Sequence, residues 1–410
     1  MKKHLIYSAT ILLVVLLAVS CKEDPPASLW VPNPPSGLQP TVTSIAPPDS
    51  ALAGVSVVAI TGTNFLPDTL QTFVFFDDKR ATILEASTTQ LRVKAPNLVK
   101  DTVMLKVAVQ GASLFSEPVR YKLIAAVSEF GVTPNVVEAP YGLACNRRGD
   151  LFVSFLSAGG TGLGVKRFSS TGVRKDYAAI FSTPVNNWTS LKVGPGDTIY
   201  AAANRNALFM LVQLGPDTAR AVPYANVGPA GTQSVYDFDF DQNKNFWVSG
   251  GNNAVYRVRR SDRNVRVFPF AGDVRSVRVF NGYLYLGARS SDSHEKVVRF
   301  PIVSADSLGP SETYFDLTLS NSSASVYAIT FAADGDMFVG TDSLAGSIVV
   351  VHSNGTSEPL YPGLFKGKSI AFAYGVGTEL FVSRSGSSAD EKRIIRVNTQ
   401  KLSAPYYGRQ

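Results

Sequence analysis

Several polar and aromatic residues stand just ahead of short apolar segments, in positions where side chains could meet a ligand. They are Glu138, Tyr141, Asn187, Trp188, Tyr236, Asp237, Arg275, Tyr327 and Lys368. Asn187 and Trp188 have the most definite chemistry, because an indole ring can stack on a sugar while amides make polar contacts. For Trp188 the alternative role, packing at the rim of the fold, stays open.

Covalent and histidine-based catalysis has few candidates in this chain. Beyond His4 the only histidines are His294, in a Ser/Asp-rich segment, and His352, at the end of a predicted strand. A Ser-His-Asp triad or a histidine metal site is therefore not expected. The glycine-rich run at 159–164 precedes a strand and no helix, so it lacks the context of a phosphate-binding loop.

The elements that must position the candidate residues form a sixfold repeat. From about residue 124 an apolar strand, a polar turn and a strand with a central aromatic recur every 46 residues or so. The aromatics are Phe152, Tyr200, Trp247, Tyr285, Phe338 and Phe381. Two further strands follow most copies, and four strands per repeat of this length are typical of a β-propeller blade. The sequence predicts an all-β chain whose residues 124–410 form a six-bladed propeller.

How the propeller ring closes stays open. The last blade could be completed by its own strands, or by residues 126–132 added as its outer strand. In either case, the candidate residues stand at the starts of the innermost strands. We expect ligands at that mouth of the central channel.

Two resemblances refine the propeller prediction. The segment "APYGLACNRRGDLFVS" is similar to the NHL repeat, so the domain is NHL-like. Glu138-Ala-Pro resembles an early Glu-Gly-Pro of six-bladed gluconolactonase-type propellers. That resemblance implies a divalent metal such as calcium, bound by Glu138, Asn187 and Asp237. It is the basis for an alternative function as a metal-dependent lactonase or lyase.

The first residues predict export and lipid anchoring. Lys2 and Lys3 precede an apolar stretch that ends in Ala18-Val19-Ser20-Cys21, which resembles the lipobox of bacterial lipoproteins. Residues 1–20 are then a signal peptide and Cys21 is lipidated, the alternative being an ordinary signal. Lys22-Glu23-Asp24 resembles the surface-export signal of Bacteroidetes lipoproteins. Residues 21–39 are rich in proline and predict a stiff tether from the outer membrane.

Cleavage before Cys21 would leave Cys145 as the single thiol. The mature chain then has no partner for an intrachain disulfide. Cys145 is predicted to pack as a small hydrophobic residue in a strand.

A separate small domain precedes the propeller. Residues 40–123 alternate short apolar runs with turns about every ten residues, which predicts a β-sandwich. "PTVTSIAPPDSALAGVSVVAITGTNF" and "LRVKAP" resemble the immunoglobulin-like IPT/TIG domain. The positions that carry the resemblance are Gly54, Val58, Ile60, Gly62, Phe65 and Pro96. The resemblance implies a spacer or an interaction module.

Composition and charge exclude other classes. Hydrophobic residues make up 45% and charged residues 17%, with 33 glycines and 24 prolines, which does not fit a coiled coil or a disordered chain. The formal charge of +7 falls to +5 once Lys2 and Lys3 are removed. The propeller carries 28 basic and 23 acidic residues, with an arginine-rich stretch at 257–266 on predicted outer strands. This excess is dilute, so no nucleic-acid partner is expected.

The leading functional hypothesis is a non-catalytic surface lipoprotein that binds a glycan, or else a peptide, through the propeller. By resemblance, Bacteroidetes lipoproteins that combine IPT/TIG domains with propellers accompany nutrient-uptake systems, which implies an outer-membrane transporter as a partner. A pure protein-interaction scaffold and the metal-dependent enzyme are the alternatives. No cofactor is expected for the binding protein.

Overall fold

The structure is a computed structural model that describes residues 37–131, 138–180, 187–228, 235–250, 253–365 and 367–407. The signal segment, Cys21 and most of the proline-rich tether lie outside these residues. The chain divides between Ile124 and Ala125 into two compact units. In the part of the chain that is described, no helix is long and apolar enough to cross a membrane.

The first unit is a β-sandwich of two sheets. Its strands are β1 (Thr41–Ala46), β2 (Ala51–Leu52), β3 (Val57–Thr63), β4 (Thr72–Phe76), β5 (Lys79–Arg80), β6 (Thr82–Ala86), β7 (Gln90–Lys94), β8 (Lys100–Val109) and β9 (Val119–Ile124). One sheet has the order β1-β3-β7-β6 and the other β2-β9-β8-β4-β5. Alternate residues of β3, β4 and β7 are buried, as expected for strands with one face on a core.

The residues that suggested an IPT/TIG domain pack in the core of this sandwich. Val58, Ile60 and Phe65 are each 2% exposed or less. Gly62 lies between them, and a Cβ there would come within 1.9 Å of the Thr41 carbonyl oxygen and 2.4 Å of the Phe65 ring. Only glycine fits this close approach of strand and ring.

The second unit is a propeller of six antiparallel blades. The first three blades after the opening strand β10 (Val127–Glu129) contain β11 (Ala139–Cys145), β12 (Leu151–Leu156), β13 (Gly162–Phe168), β14 (Arg174–Ala178); β15 (Trp188–Val193), β16 (Ile199–Ala203), β17 (Ala207–Gly215), β18 (Thr218–Asn226); β19 (Val235–Phe240), β20 (Phe246–Gly250), β21 (Ala254–Val258) and β22 (Val265–Pro269). The last three contain β23 (Gly272–Phe280), β24 (Tyr283–Ser290), β25 (Glu295–Ser304), β26 (Ser307–Leu308), β27 (Glu312–Asp316); β28 (Val326–Phe331), β29 (Met337–Thr341), β30 (Ile348–Val351), β31 (Ser357–Pro359); β32 (Lys368–Tyr374), β33 (Glu379–Ser385) and β34 (Ile394–Asn398).

Helical structure in the described residues is confined to short segments between strands. The α-helix Leu317–Ser320 follows β27, and 3-10 turns span Pro195–Asp197 and Ala389–Glu391.

The ring closes by the second of the two routes that the sequence allowed. β10 pairs antiparallel with β34, so a strand from the start of the unit completes blade six as its outermost strand. Phe130, which follows β10, is 4% exposed and packs against Phe381 with the ring centroids 4.7 Å apart. The first and last blades are thus joined by hydrogen bonds and by a shared apolar contact.

All six repeating aromatics lie in the second strand of a blade and are buried. They contribute to the apolar clusters that fill the space within and between blades. Cys145 is 5% exposed at the end of β11 and packs in such a cluster as predicted.

Residues 403–407, the last that the structure describes, lie across one end of the channel. Ser403 pairs with Ala332, and the buried Ala404 donates its N–H to the Phe331 carbonyl oxygen. The Tyr406 hydroxyl accepts a hydrogen bond from the Phe331 N–H at 3.1 Å, and Tyr407 packs on Phe240. Tyr406 and Tyr407 both line the space at this end of the channel, so the tail covers it.

Candidate functional site

A β-bulge interrupts the first strand of every blade near its start. The ladder register shifts at Tyr141–Gly142, Thr189, Tyr236–Asp237, Arg275, Tyr327 and Ile370. Bulges insert an unpaired residue and re-aim its side chain. Five of the residues singled out from the sequence therefore occupy these bulges: Tyr141, Tyr236, Asp237, Arg275 and Tyr327.

The bulge residues of five blades converge on one mouth of the channel. Thr189, Tyr236, Asp237, Arg275, Tyr327 and Ile370 line the same space there. Tyr141 belongs to the same region, because burial and then the neighbouring Tyr236 raise the pKa of its hydroxyl. The volume at this mouth is only about 30 Å³, which is far below the roughly 300–1,000 Å³ of ligand pockets.

Arg275 and Tyr327 form the most polar part of the mouth. Arg275 pairs with Asp273 at 3.0 Å and with Glu295 at 2.9 Å. Burial would lower the pKa of Arg275, but Glu295 and Asp273 raise it above its ordinary value. The guanidinium also lies 5.6 Å from the centre of the Tyr327 ring. The mouth is therefore aromatic and polar, with its arginine neutralised by two carboxylates.

Asp237 points into the channel below the mouth, where protein groups occupy both of its oxygens. Oδ1 accepts from Ser190 at 2.7 Å and pairs with Lys192 at 2.9 Å. Oδ2 accepts from Ser276, from the Val277 N–H and from Arg278, each at about 3 Å. Burial alone would raise the pKa of Asp237, but Lys192 and Arg278 hold it well below its ordinary value. Asp237 joins blades two, three and four, and its carboxylate oxygens are occupied by these protein groups.

Trp188 and Asn187 do not face the mouth. Trp188 is 1% exposed and packs edge-on against Phe209, with the ring centroids 5.0 Å apart. The predicted stacking of this ring on a sugar is therefore wrong, and the alternative of a packing role is confirmed. The backbone N–H of Asn187 donates to Asn204 at 3.2 Å beside the same core. Trp188 stands one residue before the bulge of its blade, at the position that Val274 and Val326 occupy in blades four and five, and these side chains are all buried.

The geometry gives calcium binding by Glu138, Asn187 and Asp237 no support. Glu138 pairs with Arg174 at 2.5 Å, and Asp237 is held by the two basic residues described above. Within the described segments no group of three or more His, Cys, Asp or Glu side chains lies together as a metal site would require.

A cavity of ligand size lies beside the mouth, between blades five and six. It measures about 780 Å³ and is lined by Asp342, Ser343, Leu344, Phe365, Gly367, Lys368, Ser385, Gly386, Ser387 and Glu391. We call it the blade 5–6 cleft. Tyr327 connects it to the mouth, because the tyrosine hydroxyl donates to Asp342 at 3.0 Å and accepts from Lys368 at 3.4 Å. Lys368 also lies 5.3 Å from the centre of the Tyr327 ring.

The lining of the blade 5–6 cleft combines donors, acceptors and apolar surface. Asp342 and Glu391 present carboxylates, and hydrogen bonds from Ser388 and Ser387 lower the pKa of Glu391 so that it stays charged near neutral pH. Lys368 and three serines supply donors. Leu344 is fully exposed and gives the rim an apolar contact. A Cβ on Gly386 would come within 2.4 Å of Glu391, so glycine leaves room for that carboxylate.

Of the residues in the cleft, the sequence singled out only Lys368. Most of the others come from the loops that join the second and third strands, at 342–347 and 386–393, whereas Phe365 and Gly367 precede β32 and Ser385 ends β33. These loops read "DSLAGS" and "GSSADEKR", and their polar, glycine-containing composition was the available signal. In a propeller these loops lie at the same end as the starts of the innermost strands, so they extend the predicted mouth outward.

A third cavity lies at the opposite end of the channel. It measures about 310 Å³ and is lined by blades three and four and by Ala404–Tyr407. None of the residues predicted from the sequence lines it.

Comparison with known proteins confirms the fold that the sequence predicted. Residues 40–123 match the IPT/TIG domain family. A comparison with curated proteins gives no match. With the propeller described above, the chain is an all-β protein with an IPT/TIG sandwich and a six-bladed propeller.

Three solved structures illustrate the range of proteins with a similar fold. A protein of unknown function from Bacteroides thetaiotaomicron is 12% identical, with a TM-score of 0.54 over 90% of this chain and 100% of that one. An auxiliary nutrient binding protein from the same organism is 11% identical, with a TM-score of 0.52 over 88% and 97%. A luciferin-regenerating enzyme is 11% identical, with a TM-score of 0.52 over 68% and 96%. At these identities the likeness concerns the fold alone.

Proposed function

We propose that this protein is a non-catalytic binding protein and that the blade 5–6 cleft holds a stretch of uncharged glycan. The observation that carries the proposal is the cleft itself, about 780 Å³ of space joined to the channel mouth through Tyr327, Asp342 and Lys368. Its volume lies within the range of small-molecule sites, whereas the mouth alone is too small.

The chemistry of the lining favours a polyhydroxylated ligand. Sugar hydroxyls donate to carboxylates and accept from ammonium and hydroxyl groups, and Asp342, Glu391, Lys368 and the serines offer both kinds of partner. Apolar sugar faces would lie on Leu344 and Phe365. The cleft contains two carboxylates against one lysine, so an acidic ligand would meet net repulsion.

The same proposal places the protein on the outer membrane through a lipid on Cys21, facing outward. A stiff tether, a sandwich and a propeller would then present the cleft to polymers outside the cell. The resemblance of the fold to an auxiliary nutrient binding protein is consistent with a role in nutrient uptake. Delivery to an outer-membrane transporter is part of this proposal.

Removing the charges of Asp342 and Lys368 in the cleft should weaken the binding of the polysaccharide that retards the protein. The purified chain is run on native gels cast with dextran, xylan, laminarin or galactomannan, and the polysaccharide that retards it most is kept as the probe. We expect Asp342→Asn/Lys368→Ala to weaken binding of that probe by at least about tenfold, because hydrogen bonds to charged groups contribute about 1.5–3 kcal/mol.

The matched control removes a comparable pair elsewhere on the propeller. Lys166 and Asp176 form an ion pair of 2.7 Å on the outer strands of blade one. Lys166→Ala/Asp176→Asn should leave retention unchanged. Unretarded migration in every gel, or equal losses in the two double variants, would contradict the proposal.

A further inference from the structure

A cluster of basic side chains surrounds a shallow groove on blade three, and nothing in the proposed function uses it. We call it the basic patch, and it consists of Lys244, Arg259, Arg260, Arg263 and Arg266. The groove measures about 550 Å³, and Lys244, Arg259 and Arg260 line it together with Asn243, Asn245, Ser261 and Ala305. The patch joins the turn before β20 to the hairpin between β21 and β22, and the Arg260 N–H donates to Asn245 Oδ1 at 3.3 Å.

Three cations of the basic patch have no acidic partner. Arg259 pairs with Asp262 at 3.0 Å and with Asp306 at 3.1 Å, and Arg266 lies 3.8 Å from Asp306. Lys244, Arg260 and Arg263 are exposed, and no carboxylate lies within 4 Å of them in the part of the chain that is described. The basic patch therefore has five basic side chains against two carboxylates, Asp262 and Asp306.

Two of these cations occupy backbone positions that other blades give to glycine. Lys244 has φ = 68° and Arg263 has φ = 59°, both in the left-handed region. The turns before the second strands of blades one and five have the same hydrogen bonds, with Gly149 and Gly335 at the position of Lys244. The hairpins between the third and fourth strands of blades one and five are one residue shorter, and Gly172 and Gly355 take the positive φ at the residue before the closing pair, where Arg263 stands in blade three.

A lysine or arginine in the left-handed region is less stable than glycine there, because its Cβ crowds the backbone. Folding alone would therefore favour glycine at both positions, as in blades one and five. Residues that keep such strain on the surface are candidates for function. Both strained cations belong to the basic patch, and neither has a carboxylate within 4 Å among the described residues.

We propose that the basic patch binds an anionic polysaccharide, one that carries sulfate or carboxylate groups along its length. The groove is open and its cations are spread along it, so several spaced anionic groups on one chain would fit better than a single bound ion. Asn243, Asn245 and Ser261 lie among the cations and would bind sugar hydroxyls. The groove lining includes no aromatic side chain, and the Arg263 guanidinium lies over the nearby Tyr224 ring, 5.1 Å from its centre, where a nucleic-acid base would have to stack.

This site is separate from the blade 5–6 cleft, so the two proposals can fail independently. Heparin serves as the probe for the basic patch and dextran as the uncharged control. Binding of the purified chain to heparin should weaken as salt rises. In Lys244→Gly/Arg260→Ser/Arg263→Gly we expect a loss of heparin affinity of at least about tenfold at low salt.

The melting temperature of the triple variant distinguishes a binding role of these three residues from a structural one. Because the two glycine substitutions relieve left-handed strain, the triple variant should melt at the same temperature as the wild type or up to about 3 °C higher. A matched control, Arg147→Ser/Arg148→Ser/Lys175→Ser, removes three exposed cations of blade one and should change heparin affinity by less than about twofold. Asp342→Asn/Lys368→Ala should bind heparin like the wild type.

Three results would overturn the basic-patch proposal. One is an equal loss of heparin affinity in the blade-one control, which would mean that only net charge matters. Another is a lower melting temperature of the triple variant, which would assign these residues to folding. The third is binding to double-stranded DNA, or to vesicles containing anionic lipid, as tight as binding to heparin at the same salt concentration.

Discussion

Asp237→Ala is expected to lower the free energy of unfolding of the propeller by about 3–5 kcal/mol, the usual effect of removing one partner from a buried ion pair. The substitution leaves Lys192 and Arg278 close together in the channel without their shared carboxylate. It also removes the acceptor for Ser190, Ser276 and the Val277 N–H, which tie three blades to one another.

Tryptophan fluorescence during urea unfolding reports on the stability of the propeller. Trp188 and Trp247 are buried in blades two and three. Asp176→Ala is the control, since that carboxylate is 87% exposed and pairs with Lys166 at the surface. We expect this control to change the free energy of unfolding by less than about 0.5 kcal/mol. A similarly small shift for Asp237→Ala would show that the channel charges do not stabilise the ring.

The contribution of Asp237 should also depend on pH. Its pKa is lower in the folded protein than the roughly 3.9 of an unfolded chain, so its stabilising effect is fully present above pH 4 or so and is lost as the pH falls further. The difference in stability between the wild type and Asp237→Asn should therefore shrink between about pH 4 and pH 2. A difference that stays constant over this range would contradict the assignment.

Truncation after Lys401 is expected to destabilise the propeller by about 3–5 kcal/mol. It removes Ala404 from the core between blades, together with the partly buried rings of Tyr406 and Tyr407. Loss of large buried side chains has effects of this size. The truncation also leaves the N–H of Phe331 without its acceptor.

The tail can be tested by melting temperature and by amide exchange. Leu402→Ala is the control, because this side chain is 61% exposed and should contribute little. In the truncated chain the Phe331 amide should exchange faster than in the wild type. An unchanged melting temperature, with Phe331 still protected, would mean that the tail covers the channel without stabilising it.

The sequence predicted the blades because each has a buried aromatic at a fixed position in its second strand. This repeat identifies the strands, but it does not determine which side chain near the start of a strand points into the channel. The bulges decide that orientation, and a shift of one residue sent Thr189 to the mouth and Trp188 into the core. Tyr141, Tyr236, Arg275 and Tyr327, which the sequence analysis placed at the mouth of the channel, lie at the bulges of their blades.

The rest of the candidate site could not be found from periodicity. The blade 5–6 cleft is formed by loops around Asp342 and Glu391 whose lengths differ from blade to blade. The arginine-rich stretch at 257–266 was noted in the sequence, but it was counted as part of a dilute excess of charge. The net charge summed over the whole propeller is small for its length. The unusual feature is local, because Lys244 and Arg263 stand where the turns of blades one and five have glycine.

Hydrogen–deuterium exchange with and without the most strongly retained uncharged polysaccharide tests the proposed glycan site most directly. If the blade 5–6 cleft binds the glycan, amides of 342–347 and 385–391 will exchange more slowly in its presence. The same segments should show no change in Asp342→Asn/Lys368→Ala. Protection confined to the cavity at the opposite end, around 239–243 and 404–407, would contradict the proposed site.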